Sequence, residues 1–258
     1  MLQGTYTAAV GIATHQQRLD VIANNLANSS TNGFKSSRVD FQDALYKEMT
    51  RPHGNADNLN MNKGHGVLVD ATTKNFTQGL YQETGVDTNM LIEGEGYFMI
   101  ETPAGQRYYT RDGSFGRSVE GDGTYLVTAG GNYVIGANGQ RVRLEGTSLQ
   151  VMEDGTLWET GAGAPYGQVS VWRFPNQEGL NAISSNLYDV SASSGEPQAV
   201  QLGLAGGTTL HQNAVEGSNV DLAEEFSGLI RAQRAMQLSS RALTMADEMD
   251  GTATQIRR

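Results

Sequence analysis

The chain has 258 residues, 18 lysines and arginines against 28 aspartates and glutamates, a formal net charge of −10 and no cysteine. That length suits one or two domains around a sizeable core. The charge excludes the basic footprint of a nucleic-acid binder or an electrostatic lipid anchor, and the missing cysteines exclude disulfides, thiolate nucleophiles, zinc ribbons and iron–sulfur clusters.

The first predicted element is a helix from Leu2 to Asn28. Ala9, Ile12, Gln16, Leu19, Ala23 and Leu26 recur at steps of three and four, a heptad-like seam that Ile22 widens. The opening stretch lacks the basic start, continuous apolar core and cleavage site of a secretory leader, so none is expected. Asn28-Ser29-Ser30-Thr31-Asn32-Gly33 stops the helix, because these side chains compete with the backbone and Asn and Gly accept positive φ. Phe34 and Phe41 restart an apolar pattern, and residues 36–75 read as an extended connector whose most exposed part is 51–65.

Only six of the 32 glycines lie near the ends (Gly4, Gly11, Gly33, Gly217, Gly228, Gly251); the rest crowd into residues 46–207. Turns recruit glycine and helices disfavour it, so the middle reads as turn-rich β structure. Strand signals run along it: Tyr97–Ile100, Arg107–Thr110, Tyr125–Thr128, Tyr133–Ile135, Val142–Leu144 and Leu149–Met152. Turn dipeptides separate them, among them Asp112-Gly113, Gly130-Gly131, Asn138-Gly139 and Asp154-Gly155, which suggests antiparallel hairpins. Residues 159–168 and 191–198 read as loops.

The last element is a second helix. Ser218-x-x-Asp221 fits a capping box, and Glu224 and Glu225 suit the positive end of the helix dipole. Leu222, Phe226, Leu229, Gln233, Met236, Ser240 and Leu243 follow at steps of four and three, flanked by Ile230 and Ala246, with Arg257 and Arg258 closing the chain. The expected fold is mixed and mainly β. An antiparallel β-rich central domain (76–207) is flanked by an N-terminal helix and turn (1–35), the connector (36–75) and a C-terminal helix (208–258). Apolar seams on isolated helices are unstable in water, so the two helices are expected to pair as a coiled coil, within one chain or between copies.

Catalytic and metal-binding patterns find little support. His15, His53, His65 and His211 form no H-x-x-x-H pair, and His15 reads as a helix-surface residue. Ser114 lacks a nucleophile-elbow setting, Gly94-Glu95-Gly96 lacks the third glycine and helix of a dinucleotide loop, and Glu120-Gly121-Asp122-Gly123 lacks the order of a calcium loop. Glu93 and Glu95 would be the carboxylates of a polysaccharide-cleaving enzyme, but in a strand they merely share a face. No enzyme activity, metal or cofactor is expected.

Three regions carry a resemblance. Leu19-Asp20-Val21-Ile22-Ala23-Asn24-Asn25-Leu26-Ala27-Asn28 and Thr31-Asn32-Gly33-Phe34-Lys35 closely resemble the N-terminal signature of bacterial flagellar rod and hook proteins. Ser218-Asn219-Val220-Asp221-Leu222, Gln233-Arg234-Ala235 and Ala246-Asp247-Glu248-Met249 resemble the matching C-terminal segment. Ile92–Phe98 and Tyr109–Phe115 resemble the family's central motifs. Length and the segment Phe41–Tyr46 are most similar to the distal-rod group, with a proximal-rod protein close behind.

The resemblance implies an axial structural subunit of the flagellar basal body that polymerises through its terminal helices into a tube. The tube would transmit torque and enclose the export channel. Its implied partners are further copies, neighbouring rod and hook proteins and the export apparatus, with no nucleic acid and no direct membrane insertion. It would reach its place outside the cytoplasmic membrane by export without a cleaved leader. The implied assembly residues are Leu19, Ile22, Asn24, Asn25, Leu26, Asn28, Gly33, Phe34, Val220, Leu222, Phe226, Leu229, Gln233, Met236 and Leu243. Asn24, Asn25 and Asn28 either bridge neighbouring backbones or simply end the helix. A surface adhesin or pilus-like binding module is the alternative reading.

Overall fold

The computed structural model describes residues 2–45, 47–48, 62–121, 123–144, 146, 148–159, 165–203 and 207–256. The chain divides into two compact units: residues 1–27, 37–74 and 221–258 form one, and residues 28–36 and 75–220 form the other. It is a mixed, mainly β fold with antiparallel sheets and two long helices.

The helix unit contains α1 (Leu2–Ala27), α2 (Leu222–Ile256) and an antiparallel ribbon of the strands Ser37–Asp43 and Val67–Lys74, with a bulge between Asp40 and Phe41. Much of the expected connector is thus paired strand; of the stretch 51–65 expected to be most exposed, residues 51–61 lie outside the described residues. The two helices run antiparallel: a Cβ at Gly11 would lie 3.3 Å from Ser239 Oγ, one at Gly228 would lie 3.5 Å from Ile22 Cδ1, and Asn25 bonds Glu225.

The covered positions overlap the expected seam only in part. On α1 Thr14, Ile22 and Asn25 are buried and Gly11, Ile12, His15, Arg18, Leu19 and Leu26 half-buried, while Ala9, Gln16 and Ala23 are exposed. On α2 Gly228, Ala232 and Ala246 are buried and Glu225, Leu229, Met236, Ser239 and Leu243 half-buried, while Leu222, Phe226, Gln233 and Ser240 are exposed. The covered positions of α2 keep steps of three and four, and Gly11 and Gly228 let the axes approach closely. His15 is half-buried rather than on the surface, and burial, aided by Arg18, lowers its pKa.

α2 starts later than the capping box implies. Asp221 Oδ1 accepts the backbone N–H groups of Ala223 at 2.8 Å and Glu224 at 3.2 Å, so Asp221 is the N-cap. Ser218 Oγ instead takes the N–H of Val220 at 3.3 Å. Residues just before the cap are strands, Thr209–Gln212 and Ala214–Glu216, not helix. Arg257 and Arg258 lie outside the described residues.

In the β-rich unit one antiparallel sheet runs in the order Arg143–Leu144, Gly123–Thr128, Tyr133–Val134, Tyr97–Glu101, Arg107–Thr110, Leu187–Asp189, Asn181–Ala182. Tyr97–Glu101 is its centre, and each face of that strand meets a separate core. Phe98 and Ile100 join Met90, Ile92, Leu126 and Leu157; Tyr97 and Met99 join Tyr109, Phe174 and Tyr188. A strand covered on both faces reads as a continuous apolar run, as this one does. Each large side chain sealed here contributes about 1.5–3 kcal/mol.

Asp154-Gly155 turns the hairpin of Leu149–Val151 with Thr156–Glu159, with Gly155 at φ 81°. Asp112-Gly113 does not turn a hairpin: Arg107–Thr110 pairs with Tyr97–Glu101, whereas Phe115–Glu120 pairs with Gly123–Thr128. The pair serves packing instead. Asp112 Oδ1 accepts Ser114 N–H at 2.9 Å, and a Cβ at residue 113 would come within 1.6 Å of Met90 O. Part of the expected 159–168 loop is likewise strand, Gly167–Gln168.

Candidate functional site

In the helix unit the assembly residues split by face. Ile22 and Asn25 are buried; Leu19, Leu26, Leu229, Met236 and Leu243 are half-buried along the covered side. Asn24 and Gln233 are exposed, and Leu222 and Phe226 stand 47% and 51% exposed. Asn25 clamps three elements. Its amide donates to Ser37 O at 2.8 Å and to Glu225 Oε1 at 2.7 Å, and its Oδ1 accepts Ser37 N–H at 2.9 Å. The side chain thus imitates a neighbouring strand at the start of the ribbon and ties α2 to the same point. Burial raises the Glu225 carboxyl's pKa, opposed by the Asn25 hydrogen bond. A cavity of about 160 Å³ opens beside it, lined by Arg18, Val21, Arg38, Glu224, Glu225 and Arg231 among others.

The remaining assembly residues belong to the β-rich unit. Asn28 begins the turn: its C=O accepts Thr31 N–H at 3.1 Å and its Oδ1 accepts the Thr31 hydroxyl at 3.2 Å. Gly33 takes φ 68° and donates to Glu216 O at 2.8 Å; a Cβ there would meet Asp112 N at 2.6 Å. Only glycine suits both demands. Phe34 is 2% exposed, and its C=O accepts Asn219 N–H at 3.4 Å; Val220 is half-buried.

Sequence reasoning missed the charged centre of this unit. Lys35, Arg111 and Glu216 are 2%, 5% and 1% exposed. Lys35 Nζ donates to Glu216 Oε1 at 2.5 Å and Thr77 O at 2.7 Å, and Gly79 N–H donates to the same carboxylate oxygen at 2.8 Å. Arg111 donates Nε to Glu216 Oε2, Nη1 to Gly96 O, and Nη2 to Ile92 O at 3.0 Å. Burial alone would push the Glu216 carboxyl up, but Arg111 and Lys35 outweigh it and hold it below its ordinary value. Burial also draws the Lys35 ammonium down, against the pull of Glu216. Asn219 closes the assembly: its Oδ1 accepts Ser36 N–H at 2.7 Å, and its amide donates to Asn75 O at 2.8 Å. The N-terminal, central and C-terminal motifs therefore converge on one buried ion cluster. The signal was a single carboxylate, Glu216, directly after the apolar pair Ala214-Val215.

Glu93 and Glu95 do not converge. Glu93 meets His211 Nε2 at 2.5 Å and Glu95 lies 3.9 Å from Arg173, both carboxylates mostly in solvent. Among the described residues no group of three or more His, Asp or Glu is placed to hold a metal, and no helix is long and apolar enough to cross a membrane.

Comparison with known proteins follows the same three motifs. The family described as flagella basal body rod protein matches residues 6–35, the flagellar hook protein FlgE/F/G D1 domain matches 91–158, and the flagellar basal body rod FlgEFG protein C-terminal family matches 211–256. The flagellar basal-body rod protein FlgG of Borreliella burgdorferi is 36% identical over 100% of both chains. FlgG of Caulobacter vibrioides is 34% identical over 99% of this chain and 100% of its own. The chain belongs to the flagellar rod and hook protein family. Within that family it is most like FlgG. The flagellar hook protein FlgE of Treponema pallidum is 36% identical over 59% of this chain but only 34% of its own length. This is a family of structural flagellar components, so neither the enzyme reading nor the adhesin reading is kept.

Proposed function

We propose that the chain is an axial subunit of the bacterial flagellar rod whose terminal helices pair as a coiled coil and join copies into a helical tube. The tube transmits torque and encloses the export channel. One observation carries this reading: Leu222, Phe226 and Ile230 of α2 remain 47%, 51% and 49% exposed, beside a seam that Ile22, Leu229, Ala232 and Met236 help to fill. Burying one large apolar side chain is worth about 1.5–3 kcal/mol, so such a face is stabilised by further copies. Copies joined through two different surfaces form an open helix rather than a closed ring.

Neighbouring rod and hook proteins and the export apparatus complete the partner set. Export brings the subunit outside the cytoplasmic membrane, and the distal rod is the position its likeness to FlgG favours. Leu19, Ile22, Asn25, Leu26, Leu229, Met236 and Leu243 shape the helix pair. Leu222, Phe226, Gln233 and Asn24 face other subunits, and Asn28, Gly33 and Phe34 order the turn that follows α1, as Val220 does the segment before α2. Phe226→Asp tests the reading, because the residue is exposed and its loss spares the fold. The variant is expected to remain folded and to leave cells without rods beyond the step this protein builds. Normal motility with that variant as the sole copy overturns the reading.

A further inference from the structure

The buried ion cluster of the β-rich unit borders a cavity of about 280 Å³, whose lining includes Lys35, Arg111, Tyr97, Phe76 and Glu95. Charge is left over there. Lys35 and Arg111 share the single carboxylate of Glu216, and all three are at most 5% exposed. One buried positive charge is thus unmatched, and burying a charge without a counter-ion is costly. Glu95 does not supply the missing charge, being 67% exposed and 3.9 Å from Arg173. Hydrogen-bonding capacity is left over too. An ammonium carries three donors and a guanidinium five. Lys35 reaches Glu216 and Thr77 O, and Arg111 reaches Glu216 and the carbonyls of Gly96, Ile92 and Gly94. Each cation keeps one N–H without an acceptor among the described residues. Tyr97 is 2% exposed, and its hydroxyl has no hydrogen-bond partner among the described residues. It feels the charges of Arg111, Glu216 and Glu95, so it lies toward the same cluster. Burial, then Tyr188, push its pKa up, so it stays a donor at neutral pH.

We propose that this cavity binds a short-chain monocarboxylate, its carboxylate held by Lys35, Arg111 and the Tyr97 hydroxyl and its carbon chain laid against the Phe76 ring. The ligand is a monoanion because only one buried charge needs an opposite, and Glu95 in the lining repels a second negative charge. It is a carboxylate because donors from three side chains suit two acceptor oxygens, and the space far exceeds a halide. It carries a short apolar chain because half-buried Phe76 offers an apolar wall. It is not a nucleotide. The Gly94-Glu95-Gly96 loop, with φ 101° at Gly94 and 144° at Gly96, turns its carbonyls to Arg111, and Gly94 N–H already bonds Gln78 Oε1 at 3.2 Å. The row of free N–H groups that cradles phosphate is therefore missing. The site lies wholly within the β-rich unit and is independent of the rod reading.

Isothermal titration calorimetry of the full chain at neutral pH tests the site, with sodium propionate as the probe and sodium chloride and sodium sulfate at matched ionic strength beside it. Propionate is expected to bind saturably, and chloride and sulfate more weakly or not at all. Propionate should also raise the urea midpoint above its value in sodium chloride, because a ligand that binds only the folded chain stabilises it. Tyr97→Phe is the informative variant. It removes a hydroxyl that nothing else in the chain holds, so its urea midpoint without propionate should match the parent's. Its affinity for propionate should fall at least about tenfold, the usual worth of a hydrogen bond to a charged group. No saturable heat with propionate, equal affinity for chloride or sulfate, or full affinity in Tyr97→Phe overturns the site. A midpoint lowered by Tyr97→Phe without ligand shows the hydroxyl engaged inside the fold and overturns it as well.

Discussion

Phe98 and Tyr188 are fully sealed in the β-rich unit, and its two most deeply placed cations, Lys35 and Arg111, share one carboxylate, Glu216. The helix unit is arranged the other way round. Ala232 and Gly228 occupy its covered seam while Phe226 and Ile230 face water. The first pattern belongs to a body that is complete by itself. The second belongs to a body whose largest apolar groups are held back from its own interior, where burial would have stabilised it most. On the reading proposed above, the contrast teaches where each unit's stability comes from: internal packing in one, neighbours in the other.

The two units can be read separately, because both tryptophans, Trp158 and Trp172, lie in the β-rich unit, whereas long helix is confined to the other. The largest effect is expected from Glu216→Ala, which leaves Lys35 and Arg111 buried without their counter-ion. It should lower stability by roughly 3–5 kcal/mol, seen as an earlier urea midpoint by tryptophan fluorescence. An unchanged midpoint would mean the cluster is not the unit's keystone.

Acid should act on the same cluster. The Glu216 carboxyl is held below its ordinary value of 4.5 in the fold, so the unfolded chain binds the proton more readily. The stabilisation is complete above pH 4.5 and lost as pH falls through the lower folded value. Urea midpoints taken across this range should decline in acid for the parent and less steeply for Glu216→Gln.

Ala232→Leu should cost about 1–3 kcal/mol by forcing the helices apart. The loss should appear in the helical dichroism at 222 nm and leave the tryptophan signal in place. A joint shift of both signals would show that the units do not unfold independently. Asn25→Ala removes a clamp whose backbone partners are then unpaired, for about 1–3 kcal/mol on the same helical signal. The smallest effect on the isolated chain belongs to Phe226→Ala, within about 0.5 kcal/mol on either signal. That variant should nevertheless fail to assemble; a stability loss like that of Ala232→Leu would place Phe226 inside the seam after all.

The helices themselves were legible, since Ile12, Leu19, Leu26, Leu229 and Met236 repeat with the right period. The face each turns inward was legible only in part. Apolar periodicity selects Ile22, Leu229, Met236 and Leu243, which are covered, but also Phe226 and Leu222, which are exposed, and it passes over Gly11, Asn25 and Ser239, which no search for oily side chains would choose. In the β-rich unit Tyr97–Ile100 was readable because a strand covered on both sides has no polar face to confuse the pattern. Asp112-Gly113 misled because a turn dipeptide was employed for tight packing against Met90. The Lys35, Arg111 and Glu216 cluster stayed hidden because isolated charges along a chain read as surface, and only tertiary folding shows that they meet.

The polypeptide enters and leaves through the same unit: residues 1–27 and 221–258 both belong to the helical body, and most of what lies between forms the other. The β-rich part is therefore spliced into the middle of a frame rather than hung from one end. Such an arrangement lets the inserted module be enlarged, trimmed or recoated at its turns while the two halves of the frame still find each other, so one shared chassis can carry many different inserts.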